Sequence, residues 1–263
     1  MDKEAKLAKV DQILEAYKAA TAKVCYAVKL EEGEPDIKDN KIGGKPYLPV
    51  GEEYPKDANG APLALLFQLN LADIDLPDWP KTGVLEIFTD SEVDYPCRYA
   101  VKYYPADQEY QTHFPDIDLS NYIAPNGRKI SLEQATSYMS PNDYRFGDVV
   151  SKICGEIFGQ QFTGVGSIMD FFEGDDKWQD QIYQLNSNTP GIAVGGYQDF
   201  AQFDPREQNA NMVGMTESLF KLDSVSSDEE FMIGDAGILF TFISPEDLRA
   251  GKFENAVVDW DCC

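Results

Sequence analysis

The sequence is poor in the residues that most often build a catalytic or metal centre. It contains one histidine, His113, in 263 residues, so a Ser/His/Asp triad or a Cys/His pair would have to be built around that residue. The five cysteines form no CxxC pair, which excludes the usual Cys/His zinc site. Neither GxxxxGK[ST] nor GxGxxG occurs, so the common phosphate-binding loops are excluded. We therefore predict no cofactor and no metal, and carboxylates remain as the only abundant reactive groups.

Long apolar runs are also missing. No stretch approaches the 18 apolar residues of a transmembrane helix, and the first residues are too charged for a signal peptide. An odd number of cysteines argues against a disulfide framework. We expect a cytoplasmic protein with reduced thiols.

Basic residues are scarce. The chain has 22 Lys and Arg against 46 Asp and Glu, a formal net charge of −24, and residues 61–263 supply −22 of it. Such a field repels phosphate backbones and anionic lipid, so nucleic-acid and membrane binding are not expected. A basic protein partner or a cation would be attracted. The alternative is that the acidity only maintains solubility.

Three blocks of sequence recur at nearly constant offsets of 152, 153 and 154 residues. The agreement predicts an internal duplication, whose two halves could share one core. The matching blocks are Gly43-Gly44 with Gly195-Gly196, Leu66–Asn70 with Leu219–Asp223, and Gly83–Leu85 with Gly237–Leu239.

Apolar periodicity predicts the main elements. Helical spacing indicates an amphipathic helix over residues 2–22, and residues 24–30 are rich in strand formers. Alternation in residues 65–70 and 219–223 predicts half-buried strands, with Gln68, Asn70, Lys221 and Asp223 on their polar faces. Nearly continuous apolar runs predict central strands over 84–88 and 238–243.

Helix signals lie between and after the copies. Ser131 and Gln134 have the spacing of a capping box, which predicts a helix that Pro141 ends, and a further helix over 144–158. Ser244 followed by Pro245 predicts a short C-terminal helix. The fold class is α+β and β-rich. We expect a single domain over 1–263, with repeat halves at about 24–130 and 161–263 joined by a helical connection at about 131–160.

Several motifs together resemble the YwqG-like family over roughly residues 24–260. The resemblance implies a β-rich, internally duplicated fold, offers no catalytic residues and assigns no function. The sequence departs from the family pattern in having Tyr54-Pro55 in place of Trp-Pro and Ile233 in place of Trp. The motifs are Lys41–Pro49, Pro62-Leu63 leading into Phe67–Leu69, Gly195–Phe200, Met232–Gly237, and Ser244–Leu248 with Phe253 behind it.

The repeat also selects candidate functional residues. The second copy carries Asp223 and Asp235 where the first carries Asn70 and Lys81, and paired carboxylates can perform acid/base chemistry or bind a hard cation. The alternative is that both acids form turns. The full ligand-binding set is Gln68, Asn70, Gln202, Asp223 and Asp235, and the structural motif comprises Gly43, Gly44, Pro46, Gly83, Gly195, Gly196, Gly234 and Gly237.

Three functional hypotheses follow from these features. The leading one is a non-catalytic, acidic protein-interaction module that binds a basic partner, for which an immunity-like role against a basic toxin would be suitable. The second is a small-ligand-binding protein or carboxylate-based enzyme with a cleft between the two repeats. The third is divalent-cation binding by clustered acids.

Overall fold

The computed structural model describes residues 1–90, 93, 97–105, 107–120, 122–183, 190–227 and 231–262. The helices are α1 (Lys3–Leu7), α2 (Val10–Thr21), α3 (Phe146–Phe158), α4 (Gly164–Phe171), α5 (Asp176–Tyr183) and α6 (Pro245–Ala250). The strands are β1 (Lys23–Leu30), β2 (Lys41–Ile42), β3 (Ala64–Asn70), β4 (Val84–Thr89), β5 (Tyr99–Tyr104), β6 (Arg128–Ser137), β7 (Ile192–Gly195), β8 (Glu217–Asp223), β9 (Ile238–Ile243) and β10 (Val257–Asp261).

The ten strands form one sheet in the order β10-β9-β8-β7-β1-β6-β2-β3-β4-β5. Neighbouring strands pair antiparallel, and β1 and β6 lie at the centre. Each flank is a run of four strands that are consecutive in sequence, β2 to β5 on one side and β7 to β10 on the other. The predicted β-rich α+β class is confirmed.

The predicted helix over residues 131–141 is wrong. These residues belong largely to β6, which pairs with β1 residue by residue from Lys23 opposite Ser137 to Leu30 opposite Ile130. The capping-box spacing is a local signal, and the cross-strand pairing at the centre of the sheet overrides it. The helical connection therefore starts at α3, as predicted from residue 144 onward. The N-terminal helix is also divided, because α1 ends at Leu7 and α2 begins at Val10.

The C-terminal helix α6 forms as its punctuation predicts. The hydroxyl Oγ of Ser244 accepts a hydrogen bond from the backbone N–H of Asp247 at 3.1 Å. Gly251 ends the helix with a φ of +68°, a left-handed conformation that glycine adopts without strain. The predictions for β1, β4 and β9 are confirmed as well.

Both faces of β3 and β8 are buried, which corrects the prediction that they are half-exposed. Gln68 is 0% and Lys221 1% exposed. The inner face packs into a shared core, in which the rings of Phe67 and Phe220 stack at 4.0 Å. Loops cover the outer faces: Tyr47 and neighbouring residues pack over the first flank, and the loop that carries Phe200 packs over the second. Alternation in the sequence indicates which face of a strand is polar, but it does not reveal that a loop covers that face.

The helices build a second apolar cluster beside the sheet. Tyr17 of α2, Phe146 of α3 and Ile168 of α4 are buried in it. The hydroxyl of Tyr17 donates a hydrogen bond to the carbonyl of Met139 at 3.0 Å, which satisfies its polar atom inside the cluster. The helical region is therefore tied to the segment that follows β6.

Gly43 gives a test of the close approach between loops in the first flank. Its φ is +72°, and an added Cβ would overlap the backbone carbonyl and the Cβ of Ala124. Gly60 has a φ of +86° with nothing within 4 Å of the added atom. We expect Gly43→Ala to lower the free energy of unfolding by about 1–3 kcal/mol more than Gly60→Ala, because only Gly43 adds overpacking to the backbone strain. Urea unfolding measures both, and equal losses would contradict this packing.

Candidate functional site

Gln68 is fully used by the fold. Its Oε1 accepts a hydrogen bond from the backbone N–H of Tyr47 at 2.8 Å. Its Nε2 donates to the carbonyls of Ile37 and Asp39 at 2.7 and 2.9 Å. The side chain therefore attaches the loop before β2 and the loop after it to the outer face of β3.

Asn70 and Asp223 occupy matching positions at the ends of β3 and β8. Asn70 Oδ1 accepts from the backbone N–H of Ala72, and Asp223 Oδ1 accepts from that of Val225. Asn70 thus caps a short 3₁₀ helix, whereas Asp223 also accepts from the hydroxyl of Ser226 and so fixes the turn after β8. Asp235 lies exposed in the turn before β9. A ligand-binding role for these residues stays a prediction.

Gln202 lines a cavity at the edge of the sheet, which we call the C-terminal pocket. Its volume is about 370 Å³. One wall comes from the loop after β7, and the other comes from β10 and the residue that follows it. The lining residues are Gln202, Phe203, Pro205, Phe240, Asp259, Trp260, Asp261 and Cys262.

Strand alternation explains how two carboxylates reach this pocket. Successive residues of a strand point to opposite faces; Val258 and Trp260 pack on the inner core, so Asp259 and Asp261 share the outer face. The carboxylate of Asp261 accepts hydrogen bonds from the backbone N–H groups of Ala201 and Gln202, at 3.0 and 2.8 Å. The covering loop is therefore fastened directly to the edge strand.

The carboxylates of Asp259 and Asp261 are partly buried. Burial raises the pKa of Asp259, and repulsion from Asp261 adds to the rise although the N–H of Trp260 opposes it. Burial also raises the pKa of Asp261 against the hydrogen bonds from the loop backbone. Among the residues that the structure describes, no Lys or Arg forms an ion pair with either carboxylate. A cation entering the pocket would meet two carboxylates whose charge is uncompensated.

An exposed aromatic ring completes the pocket. Phe203 is 47% exposed, and the buried ring of Phe240 lies beneath the opening. Ring faces attract ammonium and guanidinium groups, and the aliphatic stems of Lys and Arg pack on apolar surface. The pocket thus combines what a basic side chain needs: an apolar wall and carboxylate acceptors.

The sequence interpretation found Gln202 but missed Asp259, Asp261 and Phe203 as site residues. The alternation Asp259-Trp260-Asp261 is the signal that could have found them, because it places two acids on one face of a strand. Nothing local indicates that the loop after β7 folds over this edge. His113 is exposed. Cys25, Cys97, Cys154 and Cys262 are free thiols, whereas Cys263 lies outside the described residues.

The fold and the pocket define a β-rich α+β protein with one ten-stranded antiparallel sheet and an acidic cavity at its edge. A family model described as Domain of unknown function (DUF1963) matches residues 40–262, and the chain belongs to this family. A search of curated proteins finds no match. The matched region begins after β1, although β1 lies at the centre of the sheet.

Two further observations concern membrane and metal sites. None of the helices in the described ranges has the length and apolar character needed to cross a membrane. Within the same ranges, no group of three or more His, Cys, Asp or Glu side chains is arranged to hold a metal ion.

Proposed function

We propose that this chain is a YwqG-like member of its family that acts in the cytoplasm as a non-catalytic, acidic protein-interaction module. Its partner is a basic protein, and the C-terminal pocket receives a Lys or Arg side chain of that partner. The observation that carries the proposal is the pair of partly buried carboxylates, Asp259 and Asp261, beside an exposed phenylalanine. Neither carboxylate forms an ion pair with a Lys or Arg in the described ranges.

The distribution of cations elsewhere supports this reading. Many basic side chains are engaged in ion pairs far from the pocket, such as Lys38 with Asp107 at 2.7 Å and Lys129 with Asp39 at 3.0 Å. Burial takes Lys41 and Lys221 out of contact with solvent. The net charge of −24 then draws basic proteins towards the surface and speeds their association. An immunity-like role against a basic toxin is one biological setting with these properties.

Asp259→Asn tests the pocket with the least damage to the fold. In the described structure its carboxylate accepts only the N–H of Trp260, and asparagine can keep that hydrogen bond. We expect the affinity for a labelled peptide rich in Lys and Arg to fall roughly tenfold, the effect of losing one close charge pair. Phe203→Ala should weaken the same peptide through loss of apolar contact. Fluorescence anisotropy at low and moderate salt measures both.

Asp235→Asn is the matched control, because it also removes one carboxylate but lies outside the pocket. Its affinity should stay near that of the wild type once long-range charge is screened at moderate salt. A peptide with Gln in place of every Lys and Arg should not bind. If Asp235→Asn weakens binding as much as Asp259→Asn, the interaction is diffuse and the pocket proposal is wrong.

The raised pKa values give the binding a defined pH dependence. A bound cation favours ionised carboxylates, so affinity should fall as the pH drops through their pKa values. Because burial raises these values above the ordinary aspartate pKa of about 3.9, the loss should begin at a higher pH than for exposed acids. Anisotropy titrations between pH 4 and 7 test this, with Asp259→Asn showing the weaker pH dependence.

The stability of the free protein should change in the opposite direction. A group whose pKa is raised by folding contributes stability at low pH that is lost as the pH rises through the raised pKa. Asp259→Asn removes this penalty, so the variant should melt at a higher temperature than the wild type at pH 7 while binding more weakly. If Asp259 served folding alone, Asp259→Asn would instead lower the melting temperature and leave peptide binding unchanged.

A cleft between the two flanks remains the alternative site. A cavity of about 400 Å³ lies where Trp79 of the first flank meets Gly195 and Gly196 of the second. The ion pair of Lys23 with Glu217, at 3.1 Å, lies at its wall. None of the five candidate residues from the sequence lines this cavity. If peptides fail to bind and a small molecule stabilises the protein, this cleft becomes the leading site.

A further inference from the structure

Another cavity lies over the outer face of β3, far in sequence from the C-terminal pocket. We call it the His113 pocket. Its volume is about 430 Å³, in the range of small-molecule sites. The residues that matter to its chemistry are Lys45, Tyr54, Leu65, His113, Phe114 and Ile117.

The walls of the His113 pocket are mainly apolar. Leu65 is buried in the wall supplied by β3. The rings of Tyr54 and Phe114 meet edge to face with their centroids 6.4 Å apart, and Ile117 is half-buried beside them. The space corresponds to roughly fourteen water-sized groups at about 30 Å³ each. A hydrocarbon body of eight to ten carbons would fit it.

Lys45 is the lysine in the lining of this pocket. Lys45 is exposed, and it forms no hydrogen bond or ion pair with any residue in the described ranges. It also lines an adjoining cavity of about 540 Å³, and Phe114 contributes to the walls of both cavities. In a chain with more than twice as many acids as bases, an ammonium group left unpaired against an apolar wall has the arrangement expected for an anionic ligand group.

The charge at the rim limits which anion fits. Asp116 lines the same pocket and is exposed, so a dianion such as a phosphate monoester would be repelled as well as attracted. A single carboxylate needs only the one ammonium group. The segment that covers the pocket, residues 112–119, is held near its ends. The backbone N–H of Gln111 donates to the carbonyl of Leu48 at 2.7 Å, and the hydroxyl of Tyr122 donates to the carbonyl of Ala64 at 3.4 Å.

We propose that the His113 pocket binds an apolar monocarboxylate, with its carboxylate at Lys45 and its hydrocarbon body against Leu65, Tyr54 and Phe114. This site is independent of the C-terminal pocket and of the basic partner. It adds a small-molecule ligand to a protein whose surface otherwise favours cations.

Octanoate is the probe, with octanol and octylammonium as neutral and cationic matches of equal length. We expect isothermal titration to give one saturable site for octanoate, weaker binding of octanol, and no comparable site for octylammonium. Lys45→Gln should lower the octanoate affinity about tenfold, whereas Lys45→Arg should keep most of it. Lys56→Gln, an exposed lysine outside the pocket, should leave it unchanged.

A second variant tests the cavity itself. Ile117→Trp should fill part of the space and weaken octanoate and octanol together, with the peptide affinity of the C-terminal pocket unchanged. Absence of saturable octanoate binding at millimolar concentration would overturn the proposal. So would octanoate binding that is indifferent to both Lys45→Gln and Ile117→Trp, because the ligand would then lie elsewhere.

Discussion

Replacing Arg206 by methionine should lower the free energy of unfolding by about 3–5 kcal/mol, the usual result of removing one partner from a buried ion network. Arg206 is 2% exposed. Its Nη2 donates to Asp143 at 2.9 Å and to Asp204 at 2.6 Å. Methionine keeps much of the apolar stem but leaves two buried carboxylates without this cation. We expect the midpoint of urea unfolding, monitored by circular dichroism, to fall to a much lower urea concentration.

The network also joins two distant parts of the chain. Asp143 precedes α3, whereas Asp204 lies in the loop that covers the second flank. Burial alone would raise the pKa of Asp143, but the guanidinium groups of Arg145 and Arg206 hold it below its ordinary value. This contribution to stability is present at neutral pH and is lost as the pH falls through the lowered pKa.

Arg249→Met is the matched control for Arg206→Met. Arg249 forms a half-exposed ion pair with Asp78 at 3.5 Å, and exposed pairs contribute only about 0–1 kcal/mol. If the two substitutions cost the same, the buried network does not hold the covering loop to the helical region.

Phe67→Ala should be comparably costly, with a loss of about 3–5 kcal/mol for truncating a buried aromatic ring. Phe67 and Phe220 are both fully buried, and their rings stack at the middle of the inner core with an interplanar angle of 12°. Phe220→Ala should cost about the same, because each ring occupies the equivalent place in its flank. Phe203→Ala, at a 47% exposed position, should change stability by less than about 1 kcal/mol.

The double variant completes the test of this contact. Stacked aromatic pairs contribute about 0.5–1.5 kcal/mol beyond their burial, so the loss for Phe67→Ala with Phe220→Ala should differ from the sum of the single losses by about that amount. Losses that are strictly additive would show that the two rings do not stabilise each other.

We propose that the two flanks arose by internal duplication, and several equivalences support this. Irregular pairing interrupts β3 between Leu65 and Phe67, and β8 between Ser218 and Lys221. The backbone N–H of Leu71 donates to Gly83, and that of Ser224 donates to Gly237. Both Gly-Gly pairs have positive φ values between +72° and +76°.

The sequence predicted the parts of the fold that local patterns govern. Apolar runs identified β4 and β9, and the capping residue Ser244 located α6, because each signal lies within the element that it specifies. Local patterns could not predict the loops that cover the sheet, because these loops contact residues that are distant in sequence.

The wrong and missed predictions all depend on contacts between residues that are distant in sequence. The helix signal at Ser131 lost to pairing with β1, a strand about a hundred residues earlier. The polar face of β3 is buried because a loop covers Gln68, and the C-terminal pocket exists because another loop is fastened to Asp261. Composition showed that the protein is acidic, but only the fold shows that Asp259 and Asp261 lie together, with no ion pair to a basic side chain in the described part of the chain.

Mapping the binding site of a basic peptide by amide chemical shifts tests the interaction proposal most directly. Addition of the Lys- and Arg-rich peptide to isotope-labelled protein should shift amides in residues 200–206 and 257–262, with saturation at one peptide per chain. The same titration on Asp259→Asn should leave these amides nearly unchanged at equal peptide concentration. Shifts confined to the turns around Asp223 and Asp235, or no saturable shifts at low salt, would contradict the account.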